Sequence, residues 1–161
     1  MEKVKVFLAL CSIVFLAACT SKESPSEVGE SVSAEQIKSL PKDDSWNNKL
    51  VSFEGYFGFC RRVGMYKSGS KAQLRITTEG NCNGERLIDA KIGLEISSSK
   101  TIAGSAPRNQ IVADKDINME TLKVITDDYQ KVDYQKFLFS GNLIYDDGTY
   151  YLDNVTIHLI R

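Results

Sequence analysis

From Lys49 onward the chain alternates: Val51, Phe53, Gly55, Phe57 and Phe59 share one parity, and Ser52, Glu54, Tyr56 and Gly58 the other. Side chains two residues apart share a face only in a strand, so this period predicts a long half-buried strand and argues against an amphipathic helix. Gly55 and Gly58 lie inside it. Glycine weakens a strand unless the backbone must bend or approach something closely, which predicts a bulge or a sharp coil here. Ala72-Leu74-Ile76 and Ile88-Ala90-Ile92-Leu94-Ile96 repeat the alternation on either side of the turn-rich Glu79-Gly80-Asn81-Cys82-Asn83-Gly84, completing a three-stranded meander. Phe137-Phe139-Gly141-Leu143-Tyr145 and Tyr151-Asp153-Val155-Ile157-Leu159 flank Asp146-Asp147-Gly148-Thr149, a hairpin turn in which Gly148 takes a positive φ without steric cost. The pattern is that of an all-β chain.

The remaining segments are read from caps and breakers. Ser33-Ala34-Glu35-Gln36 has the form of a capping box, with Val32 and Ile37 placed as a hydrophobic staple and Pro41 as the stop, so a short N-terminal helix is expected. Ser97 to Ile117 carries no periodicity and contains Gly104 and Pro107, which predicts a long loop. Leu122 to Thr126 fits two structures. Asn118 can cap a helix carrying Leu122, Ile125 and Tyr129, yet the same stretch alternates and is β-branched, and we favour a strand.

The first 18 residues have a different character. A basic start (Lys3, Lys5) precedes an apolar run from Val6 to Leu16, about 11 residues, the size of a signal-peptide core and too short to span a bilayer. Leu16-Ala17-Ala18-Cys19 then resembles a bacterial lipobox. That resemblance implies removal of residues 1–18, acylation of Cys19, and a membrane attachment through its lipid. Residues 19–32, rich in Ser and Glu with Pro25 and Gly29, are expected to form a flexible tether, and residues 33–161 a single domain. Thr20 follows Cys19 where the common inner-membrane retention signal has aspartate, so the expected address is the cell envelope, at the outer membrane facing the periplasm in a Gram-negative cell. Cleavage lowers Lys+Arg from 20 to 18 and Asp+Glu from 21 to 20, a formal charge of −2, which gives no case for nucleic acid.

With Cys11 removed and Cys19 acylated, Cys60 and Cys82 are left in a compartment that permits disulfides, and they are expected to pair. No C-x-x-C occurs, and the single histidine, His158, lies far along the chain, so neither a redox motif nor a metal site is indicated. Asp114-Lys115-Asp116-Ile117-Asn118 opens like a calcium loop, but Met119 replaces the glycine and Ile125 the bidentate glutamate. The pairs Asp43-Asp44, Asp127-Asp128 and Asp146-Asp147 fall where turns are expected, and aspartate favours turns by bonding nearby backbone. Trp46, Tyr129, Tyr134, Tyr145, Tyr150 and Tyr151 read as core or cross-strand packing. No motif of a hydrolase nucleophile, a phosphate loop or a cofactor site is present.

Lys49-Leu50-Val51-Ser52-Phe53-Glu54-Gly55-Tyr56, Phe137-Leu138-Phe139-Ser140-Gly141-Asn142-Leu143 and Tyr150-Tyr151-Leu152-Asp153-Asn154-Val155 are similar to strands of small OB-fold proteins of bacterial envelopes. The resemblance covers residues 46–160 and implies a five-stranded Greek-key barrel, with a helix often found in the part of the chain that here runs from Ser97 to Lys136. It also directs attention to Arg61, Arg62, Tyr66, Lys67, Lys71 and Arg75, a stretch with five cations and no acid, where such barrels bind oligomeric ligands. Cations and aromatics together suit an anionic glycan or a lipid headgroup; an envelope protein is the other expected partner. The function expected is that of a lipid-anchored, non-enzymatic binding or assembly module. An envelope enzyme with a site assembled from scattered Asp, Glu and Tyr residues, and a structural spacer, are the alternatives.

Overall fold

The computed structural model describes residues 24–60, 66–96 and 107–161. In chain order its elements are β1 (Glu30–Ser31), α1 (Ala34–Lys38), β2 (Leu50–Gly58), β3 (Ser70–Thr77), β4 (Arg86–Ile96), β5 (Gln110–Ala113), β6 (Lys123–Ile125), β7 (Lys131–Asp133), β8 (Phe137–Asp146) and β9 (Thr149–Leu159). β2 pairs antiparallel with β8 and β3, β3 with β4, and β8 with β9; a parallel pairing of β4 with β9 closes the ring. This is the closed five-stranded, OB-like small barrel that the resemblance implies. A barrel of so few strands needs strong coiling, and β2 supplies it at Gly55. Gly55 is the last residue paired with β8, and Tyr56 is the first paired with β3. A Cβ on Gly55 would lie 2.7 Å from Ile76 Cγ2 and 3.1 Å from the Thr77 carbonyl oxygen, so the two strands close only over a glycine.

The inward parities fill the barrel. Phe53, Phe57, Phe137 and Phe139 pack with Leu74, Ile76, Ile92, Leu143, Leu152 and Ile157, all essentially without solvent contact. Ser33 caps α1 with the reciprocal Gln36 bond, and Ile37 and Val32 enter the same core. Cys60 and Cys82 form a disulfide with Cα atoms 5.8 Å apart, joining the end of β2 to the β3–β4 turn. Gly58 makes room for it, since a Cβ there would collide with Cys82 Sγ. The closing hairpin turns through Asp147 (φ 46°) and Gly148 (φ 74°), the two positive-φ positions that match strand twist.

Two expectations are corrected. Residues 24–32, expected as the domain end of a solvated tether, form a strap along the barrel. β1 pairs in parallel with β2, Gly29 N–H donates to Ser140 Oγ (2.8 Å), Ser52 Oγ donates to the Gly29 carbonyl (2.9 Å), and Ser26 donates from both backbone and hydroxyl to Asp127. Composition alone misled because these polar groups are satisfied by distant partners and not by water. The second correction falls within Ser97–Ile117, expected as one long loop: β5 lies there, and residues 97–106 are outside the described residues. β5 is buried on both faces, reads Gln-Ile-Val-Ala, and so shows no alternation. β5 pairs in parallel with the far half of β4, then β6 and β7 add antiparallel strands, and β6 is the strand favoured for Leu122–Thr126. Among the described residues between β4 and β8 there is no helix.

Candidate functional site

β4 changes partner along its length. Asp89 and Ala90 pair with β9, whereas Gly93 to Ile96 pair with β5. Where β5 and β9 diverge they leave an open groove of about 510 Å³, lined by Lys71, Lys91, Gly93, Arg108, Gln110 and Asn154 among others. Asn109, at φ 59°, closes its base: its Oδ1 accepts from the Ile157 N–H (2.8 Å) and its Nδ2 donates to Asp127 (2.7 Å), tying β5 to β9. Asp153 and Asn154 lie where the β8–β9 register shifts, and Asn154 also has a left-handed φ of 50°.

Three cations border this groove. Lys71 Nζ meets Asp153 at 3.1 Å, and Lys91 Nζ lies 4.1 Å above the Tyr151 ring, whose contact raises the lysine pKa. Arg108 reaches the Ser24 carbonyl (2.9 Å) and lies 3.7 Å from Asp127. Burial works against the Asp153 charge, but the Asn154 N–H and Lys71 outweigh it and hold its carboxyl below the usual range. Glu95 is the one carboxylate lining the groove among the described residues. Gln110, 9 % exposed, has an amide oxygen with no hydrogen-bond partner among the described residues. A buried acceptor left unpaired costs about 1–3 kcal/mol.

The residues singled out from the sequence are not one cluster. Lys71 is in the groove, and exposed Lys67 lies just before β3, its carbonyl accepting from Ser70 Oγ. Arg75 projects from the outer face of β3 opposite Asp89. Tyr66 turns inward, edge-on to Phe59 with centroids 5.1 Å apart, and with Arg75 borders a crevice of about 10 Å³, room for about one water. Arg61, Arg62 and Cys19 lie outside the described residues. Lys91, Arg108 and Gln110 were missed. Lys91 sits on the outward parity of β4 and was legible there; Arg108 and Gln110 reach the groove through the unpatterned β5 segment.

Elsewhere, polar clusters are explained by the fold. Asp114 accepts from the Asn118 N–H (2.9 Å) and Thr121 Oγ1 (2.6 Å), and Asp43 accepts from the Ser45 N–H (2.9 Å), as turn aspartates do. Among the described residues no group of three or more His, Cys, Asp or Glu side chains is placed to hold a metal ion. His158 is half-buried with Nε2 2.8 Å from Thr156 Oγ1, and burial pushes its pKa down against the opposing charges of Asp127 and Asp128. Tyr145 and Tyr150 face each other across the hairpin and hold the 42–49 turn through their hydroxyls, which donate to the Lys42 and Asp43 carbonyls. No protein-family model, curated protein or solved structure matches the chain.

Proposed function

We propose that the protein is a lipid-anchored, non-enzymatic binding or assembly module of the bacterial envelope, attached through Cys19, and that the β4–β5–β9 groove takes an anionic glycan. The observation that carries this reading is the convergence of three basic side chains, Lys71, Lys91 and Arg108, on one open groove. Cations call for anionic groups on the ligand. An acidic sugar offers carboxylate or phosphate and hydroxyl together. An open groove with Glu95 as its one described carboxylate supports binding over general acid–base chemistry, which calls for a positioned acid and base.

Two measurements test the two halves. Mass spectrometry of the N-terminal peptide from envelope-derived protein should show lipid on Cys19, and Cys19→Ala should abolish it and leave the precursor unprocessed; continued lipid incorporation in that variant would refute the anchor. For the groove, Lys71→Glu with Lys91→Glu should weaken binding of acidic glycan fragments about tenfold, ~1.4 kcal/mol. The melting temperature should change little, because the exposed Lys71 ion pair and the half-buried Lys91 contact with Tyr151 are each worth about 1 kcal/mol or less. The affinity of the unmodified protein should fall with added salt. Binding indifferent to both the substitutions and salt would remove the groove from consideration.

A further inference from the structure

The two large hydrophobic side chains that stand exposed among the described residues, Val28 (45 %) and Ile160 (41 %), border the same cavity. It measures about 630 Å³ and lies on the outer wall of the barrel, where Glu54, Leu138 and His158 stand in register across β2, β8 and β9. The strap forms its other side through Pro25 and Val28, and Leu159 and Ile160 continue its apolar lining. Single exposed hydrophobics are ordinary on a protein surface, but two sharing one concavity with Leu138, Leu159 and Pro25 give it a mainly apolar lining onto which another surface can pack.

The course of the chain says what that surface is. The strap is pinned as far as Ser24, whose carbonyl accepts from Arg108, and as far as Ser26, held by Asp127. Five residue steps separate Ser24 from Cys19, at most about 18 Å when fully extended. A lipid on Cys19 therefore keeps Ser24, the residue next to the Pro25–Val28 side of the cavity, within that distance of the acylated cysteine.

We infer that this apolar cavity is the membrane-facing surface of the barrel, resting on the phospholipid interface beside the Cys19 anchor. The inference depends on the anchor proposed above and adds an orientation to it. The rim does not select anionic lipid: Glu54 is paired with Lys136 at 2.7 Å, Asp128 is engaged by Thr126 (2.5 Å) and Gln130 (2.6 Å), and Arg161 is the one Lys or Arg lining the cavity among the described residues. With no surplus of cations there, the contact is apolar. The glycan groove has the opposite chemistry, so the two surfaces separate by their response to salt.

The test is methyl NMR of the mature acylated protein on phosphatidylcholine nanodiscs containing a nitroxide-labelled lipid. The methyl signals of Val28, Leu138, Leu159 and Ile160 should lose intensity, and that of Thr149, at the opposite end of β9, should keep it. High salt should leave this pattern unchanged. In Val28→Ser with Ile160→Ser, still anchored through Cys19, the loss at Leu138 and Leu159 should diminish. Equal broadening at Thr149 and the cavity methyls, or a pattern abolished by salt, would overturn the inference. Failure of the anchor reading shows separately, as an unmodified Cys19 in envelope-derived protein. The mature chain coupled through its Cys19 thiol to a maleimide lipid then reads the cavity alone, and the same two outcomes decide it.

Discussion

Replacing Asp127 by alanine should be among the most damaging single changes outside the aromatic core. Its carboxylate is wholly buried and takes hydrogen bonds from the Ser26 N–H, Ser26 Oγ (3.0 Å) and Asn109 Nδ2 (2.7 Å), with Arg108 at 3.7 Å. Each bond to a charged acceptor contributes about 1.5–3 kcal/mol, and removing one partner of a buried ionic cluster costs about 3–5 kcal/mol. These figures describe the same groups, so they are not summed. We expect a loss of about 4 kcal/mol. With a urea slope of about 2 kcal/mol/M for a domain of this size, the unfolding midpoint should fall by about 2 M. Ser26→Ala removes only the hydroxyl bond and should cost about 1.5 kcal/mol. In the Asp127→Ala background it should cost almost nothing, because the partner has already gone. A midpoint shift under about 0.5 M, or strictly additive effects of the two changes, would refute the claim that this carboxylate holds the strap to the barrel.

Acid should release the strap by the same contact. Burial raises the Asp127 pKa, but Asn109, Ser26 and Arg108 outweigh it and leave it below the ordinary range. Its contribution is therefore complete above the unfolded value of about 3.9 and is lost as pH falls through the lower folded value. Amide exchange in residues 26–32 should accelerate below that pH in the wild type, and Asp127→Asn should show fast exchange at every pH. Gln110→Leu should raise stability in thermal denaturation by about 1 kcal/mol, by removing a buried acceptor that has no partner among the described residues. Replacing Cys60 and Cys82 together by alanine opens a cross-link of 22-residue separation and should lower stability by about 3 kcal/mol in urea denaturation.

Half-buried elements were legible in the sequence, and doubly buried or tertiary-bonded ones were not. β2, β3, β4, β8 and β9 each present an inward and an outward face, so Val51 to Phe59 and their counterparts declare themselves by parity. α1 declares itself by Ser33 and Gln36, whose reciprocal bonds are local. β5 has no solvent face, and Gln110 to Ala113 therefore carry no period. The strap is polar because Ser26 bonds to Asp127 and the Gly29 carbonyl accepts from Ser52 of β2, partners that no local pattern reveals. The candidate site divides the same way: Lys71 belonged to a visible cationic run, while Arg108 and Gln110 join it only through the β4–β5 pairing. Tyr66 shows the converse failure, an aromatic beside a basic run that packs on Phe59 and not toward a ligand.

The closure of the barrel also dictates an order of assembly. Val51 of β2 pairs with Gly141 of β8, and Ala90 of β4 with Leu152 of β9. A chain delivered from its N-terminus can complete the β2–β3–β4 meander early, but the outer edge of β2 and the Asp89–Ala90 part of the β4 edge stay open until the final hairpin arrives. Pairings this distant in sequence are slow to form and leave unpaired edges exposed meanwhile. Phe53 and Phe57 would be uncovered for the same interval, since Phe139 and Phe137 complete their packing. The last strands are thus the step that converts an aggregation-prone sheet into a protein without a free barrel edge.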